Sequence, residues 1–389
     1  MCKDVRSMKI VHLCLGNFFM DSASYQENML AKYHVKMGYD VTVIAGLLSY
    51  GSSGKGIFLE GPQTYTDPSG MKIVRLAYAR PLKLARFMMK YEGLQPVLVD
   101  EQPDIIFCHN LQFGDTGIVA KYIEQHPEVR LYADNHADYV NSARNWFSRL
   151  FKHQIMWKHY IKKLEPFLTK YYGVTPMRCR FLKEMYNVNP KLIEFLPMGV
   201  DDEAIPSNRS EVRAQIRKEL ELVEDDIVVM TGGKIEMRKN THCLYEAFER
   251  ITNPKLHLVV CGTFTPEMSF WENKMSKIKN IHLLGWCSAE RVIRVMVASD
   301  FVCFPGTHST LWEQSVGMGL PGIFKHWNEI DHVNVNGNCI FVKGDDIEEL
   351  ADALDKMSNV RFFEGIKQKA IIASESFRYS DIARRSIDI

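Results

Sequence analysis

No run of eighteen consecutive apolar residues occurs in this sequence, so it lacks the length of hydrocarbon that a membrane-crossing helix needs. The opening stretch Ile10 to Phe19 carries His12, Gly16 and Asn17, which a signal-peptide core tolerates badly, and a soluble cytoplasmic protein is expected. Charge excess is also missing. Forty-eight Lys and Arg stand against forty-seven Asp and Glu, so no global field draws the chain to nucleic acid, and none is expected as a partner. There is no CxxC pair: the nine cysteines (Cys2, Cys14, Cys108, Cys179, Cys243, Cys261, Cys287, Cys303, Cys339) are odd in number and several lie in apolar runs such as VVCG and FVCF. They are expected to be reduced core fillers. No Asp-x-Asp triplet and no His/Cys/Asp group at metal-ligand spacing is visible, so neither a metal nor a cofactor is expected. Internal repeats and low-complexity tracts are absent too.

What is present is an alternation. Short Val/Ile/Leu runs, as buried parallel strands show, are separated by amphipathic stretches at helical period. The fold class is therefore α/β. Strands are expected at 9–15, 41–45, 72–76, 105–109, 130–135 and 171–175, with a helix over 22–37 stopped by Gly38. The polar, proline-bearing segment 198–210 changes composition and reads as a linker between domains. A second alternation follows, with strands at 227–231, 256–261, 281–284, 301–304, 322–324 and 339–342. Ligands of open parallel sheets bind outside the carboxyl ends of the strands, so the loops there are where chemistry is sought.

Two such loops stand out. In VVMTGGKIEMRKN, Gly232 and Gly233 suit a tight turn at a strand end, and Lys234 and Lys239 follow ahead of an amphipathic helix. That arrangement offers two cations and free helix N–H groups to an anion; the alternative is a glycine turn with solvated lysines. In FVCFPGTHSTLWEQSVGMGLP, an apolar strand runs into a polar loop and Glu313 opens a helix of small residues. A carboxylate there can accept from two vicinal hydroxyls, as a ribose presents, or simply complement the helix dipole.

Taken together, these segments resemble the retaining GT-B glycosyltransferases of family 4, the glycosyl transferases of group 1, over nearly the whole chain. The resemblance implies two Rossmann-like, doubly wound domains facing across a cleft: an acceptor-binding domain over 1–200, a nucleotide-sugar-binding domain over 201–370, and a closing helix over 371–389 that returns to the first. It implies that Lys234 and Lys239 grip the donor diphosphate, that Gly233 shapes the turn, and that Gly262, Gly285 and Trp286 lie near the nucleobase. Glu313 takes the ribose-binding position. The family carries a further glutamate eight positions earlier, where this chain has Pro305, and His308, Ser309 and Thr310 fill the shortened loop; these three are the candidates to face the donor sugar. In the first half, Gly16 and Asn17 of KIVHLCLGNF would approach the diphosphate, and His136 of LYADNH, with Asp138 beside it, would contact the donor sugar. His136 could equally cap its strand, and His109 has the weaker case.

The implied activity is transfer of a sugar, with retention, from a nucleotide-diphosphate sugar (a UDP-sugar ahead of a GDP-sugar) to a glycan or lipid-linked acceptor. A sugar-nucleotide epimerase or a catalytically silent sugar-nucleotide-binding protein are the alternatives. Residues 144–191 carry eleven Lys or Arg against Glu165 and Glu184 alone, with Trp146, Phe147, Phe151, Trp157 and Phe167 interleaved. The part over 144–170 could rest peripherally on the inner face of an anionic membrane. The spacing of several aromatics at i, i+3 and i+4 slightly favours their entering the core instead.

Overall fold

The computed structural model describes residues 7–50 and 56–388; Cys2 lies outside them. The chain forms two compact units, one running to Pro197 and including Ala383 onward, the other spanning Met198–Ile382. In the first, the strands are β1 (Lys9–Cys14), β2 (Asp40–Gly46), β3 (Leu48–Tyr50), β4 (Gly56–Phe58), β5 (Gln63–Thr66), β6 (Lys72–Leu76), β7 (Ile105–His109), β8 (Arg130–Asn135), β9 (Leu168–Gly173) and β10 (Ile193–Phe195). Eight of them build one sheet in the order β10-β9-β8-β7-β1-β2-β6-β5, and β3 with β4 forms a separate hairpin. The sheet is parallel except where β5 pairs with β6. Its inner strands, such as KIVHLC and IIFCH, are buried along their whole length, because helices cover both faces of a parallel sheet. β4 and β5 are short and largely exposed, and their residues carry no apolar run that periodicity could detect.

The second unit contains β11 (Ile227–Ile235), β12 (Leu256–Phe264), β13 (Ile281–Gly285), β14 (Phe301–Phe304), β15 (Gly322–Lys325) and β16 (Cys339–Val342). They form an all-parallel sheet ordered β13-β12-β11-β14-β15-β16. In both sheets the strand order reverses beside the first strand, between β1 and β7 and between β11 and β14. At such a switch point two adjacent loops diverge to opposite faces and leave a crevice at the strands' carboxyl ends. The two loops singled out in the second half emerge together at the β11/β14 switch point, and the Gly16–Asn17 loop at the one between β1 and β7.

One expectation about local structure is overturned. β11 does not end at Thr231 but continues through both glycines to Ile235. The glycines serve sheet packing: an added Cβ on Gly262 of β12 would lie 1.9 Å from the Gly233 carbonyl oxygen. The turn comes later, as the single 3-10 turn Met237–Lys239, and the helix starts at Thr241. The closing segment 371–389 also divides. Phe377 accepts from the Val200 N–H at 2.8 Å, which ties the chain up to Ile382 into the second unit, and only Ala383 onward joins the first.

The basic aromatic stretch departs from the slight preference for a core role. It folds as a helix over Ser148–Trp157 continued by Lys158–Leu164. Trp157 is buried, but Trp146 is 72% exposed, and Phe147 and Phe151 are exposed as well. The three rings cluster with one another at centroid distances of 5.0 to 6.3 Å. The spacing that suggested an inward face is satisfied by Trp157, Tyr160, Ile161 and Leu164 instead.

Candidate functional site

At the carboxyl ends of β11 and β14, two loops are locked together by their backbones. Asn240, with φ of 53°, donates from Nδ2 to the carbonyls of Pro305 at 3.1 Å and Gly344 at 3.0 Å. The Thr307 N–H donates to the Arg238 carbonyl at 2.9 Å. Gly306 faces Lys239 so closely that a Cβ there would sit 2.2 Å from the Lys239 carbonyl carbon. The first loop thereby delivers Lys239 against the second, where its ammonium donates to the Thr307 carbonyl at 2.9 Å and the His308 carbonyl at 3.4 Å. An ammonium has three N–H groups, and the third has no partner among the described residues. Burial, opposed by Glu236 and assisted by Arg238, lowers the Lys239 pKa to about 8.

The second loop ends in the short helix Leu311–Gly317, with Glu313 in its first turn. Its carboxylate is wholly buried, and Oε1 accepts from Nε2 of His308 at 2.7 Å and Nε2 of His332 at 2.9 Å. Burial pushes the carboxyl up, but the two imidazoles outweigh it and hold Glu313 well below the usual carboxylate range. Trp312 stacks on Phe324 beneath, and His308 meets Trp312 edge-on. Three polar atoms in this short segment, Ser309 Oγ, Trp312 Nε1 and Glu313 Oε2, are buried without any hydrogen-bond partner. An orphaned buried donor or acceptor costs about 1–3 kcal/mol, so three within five residues mark a place built for something else to complete. Glu313 has no exposed surface, so a ligand reaches Oε2 only if the residues that cover it move.

His308, Glu313 and His332 also form a set that could hold a cation, with one ligand atom from each lying within 4.8 Å of the others. Sequence spacing conceals it, since His332 follows Glu313 by nineteen residues and belongs to the loop after β15. A metal there would displace the two N–H···O bonds that already satisfy Oε1.

In the first unit the carboxyl ends of β1, β7 and β8 bring three loops together. Gly16 packs against the backbone of His109 and Asn110. Asn110 accepts the His136 N–H on Oδ1 at 2.9 Å. Asp134, fully buried at the end of β8, lies 2.7 Å from His109 Nδ1 and 3.4 Å from His136 Nε2. Burial pushes its carboxyl up, but His109 and His136 more than reverse this, holding it well below the ordinary range. Asp138 does not join this group: it ties its own loop through the N–H groups of Val140 and Asn141 and pairs with Arg178.

Residues 212–373, within the second unit, match the family described as glycosyl transferases group 1. The whole chain is similar to sucrose-phosphate synthase from Thermosynechococcus elongatus, at a TM-score of 0.70 and 14% identity over 97% of both chains. It is also similar to HepE from Anabaena in complex with UDP and glucose, at a TM-score of 0.67 and 14% identity over 97% of this chain and 98% of that one. The catalytic domain of starch synthase IV from Arabidopsis thaliana, bound to ADP and acarbose, superposes at a TM-score of 0.65 with 15% identity over 98% and 99%. No curated protein matches the sequence.

The fold is GT-B.

Within this GT-B frame, Lys239, Thr307, His308, Ser309 and Glu313 come together as one group, and Gly16 and His136 belong to another. Lys234 is exposed at the end of β11, opposite Thr263, and makes none of Lys239's contacts. Thr310 precedes the Leu311–Gly317 helix without a side-chain capping bond. Gly262 lies inside β12, while Gly285, at φ of 65°, ends β13 next to Trp286, which is 66% exposed. Asn17 is exposed. His332, Trp312, Asn110 and Asp134 were not singled out in the sequence; only the polar character of Asp134 and Asn135 inside an apolar strand hinted at them.

Proposed function

We propose that the chain is a glycosyltransferase that takes a nucleotide-diphosphate sugar, a UDP-sugar ahead of a GDP-sugar, and passes the sugar with retention to a glycan or lipid-linked acceptor. The reading is carried by the trio of partnerless atoms, Ser309 Oγ, Trp312 Nε1 and Glu313 Oε2, lying beside the Lys239 ammonium at a switch point of a parallel sheet. Glu313 Oε2 accepts from the ribose hydroxyls, and the third N–H of Lys239 takes the diphosphate. Breaking the sugar–phosphate bond puts negative charge on the leaving diphosphate, and a preorganised cation aimed there contributes on the order of 10² to 10³ in turnover. Charge on the phosphate is met by protein cations, so a chelator is expected to leave the rate unchanged. His136 contacts the donor sugar, and the reduced thiols of the described cysteines suit the cytoplasm. HepE is described with UDP and starch synthase IV with ADP, so the base requires measurement. A thermal-shift series with UDP-, GDP- and ADP-sugars tests the reading, because a ligand that binds the folded state raises its stability. Stabilisation by none of them sinks it; stabilisation without sugar transfer or hydrolysis favours the silent binding protein.

A second observation favours contact with an anionic membrane. Among the described residues no helix is long and apolar enough to cross one. However, exposed Trp146, Phe147 and Phe151 adjoin a further exposed group, Leu82, Leu84 and Phe87; the Lys152 ammonium lies 5.9 Å from the Phe87 ring and links the two. From Arg144 to Lys163 the sequence has six Lys or Arg and no acid. Apolar rings ringed by cations suit the boundary between headgroups and acyl chains, where a lipid-linked acceptor would be met.

A further inference from the structure

The carboxyl ends of β12 and β13 bring two cysteines side by side. The two strands are parallel partners, but their register shifts after Val260, so that Gly285 and not Leu284 stands opposite Cys261. An irregularity of this kind bends a strand and re-aims its side chains. Gly285 then leaves β13 at φ of 65°, which glycine adopts without strain, and the Cys287 thiol two residues on meets that of Cys261. The pair shares a hydrogen bond that Cys261 donates and Cys287 accepts. The Cys287 thiol also donates to the Gly285 carbonyl at 3.7 Å.

The two thiols are unequal. Cys261 is buried, and the hydrogen bond to Cys287 together with that burial raises its pKa. Cys287 is partly exposed; the hydrogen bond from Cys261 lowers its pKa, burial opposes this, and Arg291 assists. Cys287 also immediately precedes Ser288, the N-cap of the helix Ala289–Ala298, whose hydroxyl accepts from the Arg291 N–H at 3.2 Å. A helix N-terminus and a neighbouring arginine both favour a thiolate. An accessible thiol of this kind beside a second one is the arrangement that oxidises selectively. The remaining described cysteines differ: Cys14, Cys108, Cys243, Cys303 and Cys339 are buried, and Cys179, partly exposed, donates to the Gly173 and Glu194 carbonyls.

We propose that Cys261 and Cys287 form an oxidisable pair that reacts with low-molecular-weight disulfides, and that its closure weakens nucleotide binding at the adjoining strand ends. The Cys287 thiolate attacks one sulfur of a disulfide such as oxidised glutathione, forming a mixed disulfide and releasing a glutathione thiolate, which takes up the proton Cys287 gave up. Cys261 then loses its proton and attacks the Cys287 sulfur, releasing the second glutathione. Two protein thiols are oxidised, one glutathione disulfide is reduced to two thiols, and no further reactant is needed. A disulfide holds its sulfurs at about 2 Å, closer than two thiols approach, and so draws the 285–288 turn toward β12. That turn carries the exposed Trp286, and Gly262 follows Cys261 directly. The effect on binding rests on the reading that Gly262, Gly285 and Trp286 lie near the nucleobase; the thiol chemistry does not.

The test uses the full chain, reduced and then equilibrated with excess oxidised glutathione, its free thiols trapped by an alkylating agent and each cysteine located by peptide mass spectrometry. A Cys261–Cys287 disulfide is expected, reversible by dithiothreitol. In Cys261→Ala the reaction should stop at a glutathione adduct on Cys287. Recovery of Cys261 as a free thiol in the oxidised wild type, whether or not Cys287 carries an adduct, overturns the pair. Calorimetric titration of the reduced and oxidised chain with UDP, GDP and ADP then reads the effect on binding. The Kd of the nucleotide that binds is expected to rise about fivefold on oxidation, the worth of roughly one hydrogen bond, and to recover with dithiothreitol. In Cys287→Ser it should not respond to the oxidant. An unchanged Kd with the disulfide formed refutes the effect on binding. A reduced chain that binds none of the three refutes the proposed function instead and leaves the thiol pair standing.

Discussion

The Lys239 ammonium gives the most quantitative prediction. In the folded chain its pKa falls from 10.5 to about 8, chiefly through burial. A lowered lysine pKa means that the native state binds fewer protons than the unfolded one between those values. Stability therefore rises as pH climbs from about 8 toward 10.5, and the charged ammonium costs the fold roughly 3 kcal/mol below that window, at 1.36 kcal/mol per pH unit. A diphosphate beside the ammonium reverses the balance, since an opposite charge favours the protonated form. Binding must then take up a proton wherever the free protein has lost one. Nucleotide affinity is expected to be flat below pH 7.5 and to fall by up to about tenfold per pH unit above 8. Titration calorimetry with UDP between pH 7 and 9.5, in two buffers of different ionisation enthalpy, reads both the affinity and the proton uptake. Lys239→Met serves as the reference, because any titration of the nucleotide itself survives in it. Affinity that does not change with pH in the wild type, or the same slope in Lys239→Met, refutes the reasoning.

The other predictions concern different parts of the molecule. His332→Phe removes one of the two N–H donors on Glu313 Oε1; a hydrogen bond to a charged group contributes about 1.5–3 kcal/mol, so nucleotide Kd should rise ten- to a hundredfold, and an unchanged Kd would show that Glu313 takes no part. The depressed Glu313 carboxyl stabilises the fold above the usual glutamate pKa and loses that stabilisation as pH falls below 4.5; acid unfolding of Glu313→Gln should accordingly be less steep than that of the wild type. Gly262→Ala forces a methyl to within 1.9 Å of the Gly233 carbonyl oxygen and should lower Tm by roughly 5 °C or more, as calorimetry would show. Trp146→Ser with Phe151→Ser should abolish pelleting with vesicles containing anionic lipid while leaving nucleotide binding intact; equal pelleting of variant and wild type would remove the membrane reading.

The architecture was legible because parallel sheets write themselves as buried apolar runs: KIVHLC, IIFCH, LHLVVC and FVCF all became strands. The exposed strands β4 and β5 were not, since they bury too little to need an apolar sequence. GGK misled for a related reason. Glycine signals both tight turns and close backbone approach, and here the neighbouring strand, not a turn, demanded it. Lys239 and Glu313 could be picked out locally, but their partners could not. His332 meets Glu313 across nineteen residues, and His12, His34 and His109 find one another across 22 and 97. Contacts of that kind are fixed by strand order, which no local pattern encodes. The aromatic stretch shows the converse error: helical spacing correctly identified a buried face, yet the rings that fill it are not the ones nearest the charges.

A crystal structure with UDP bound tests the central claim most directly. The diphosphate is expected within hydrogen-bonding reach of Lys239 Nζ and a ribose hydroxyl on Glu313 Oε2, with the residues that cover Glu313 moved to admit it. A nucleotide bound elsewhere, with Glu313 still sealed beneath His308 and His332, would contradict it.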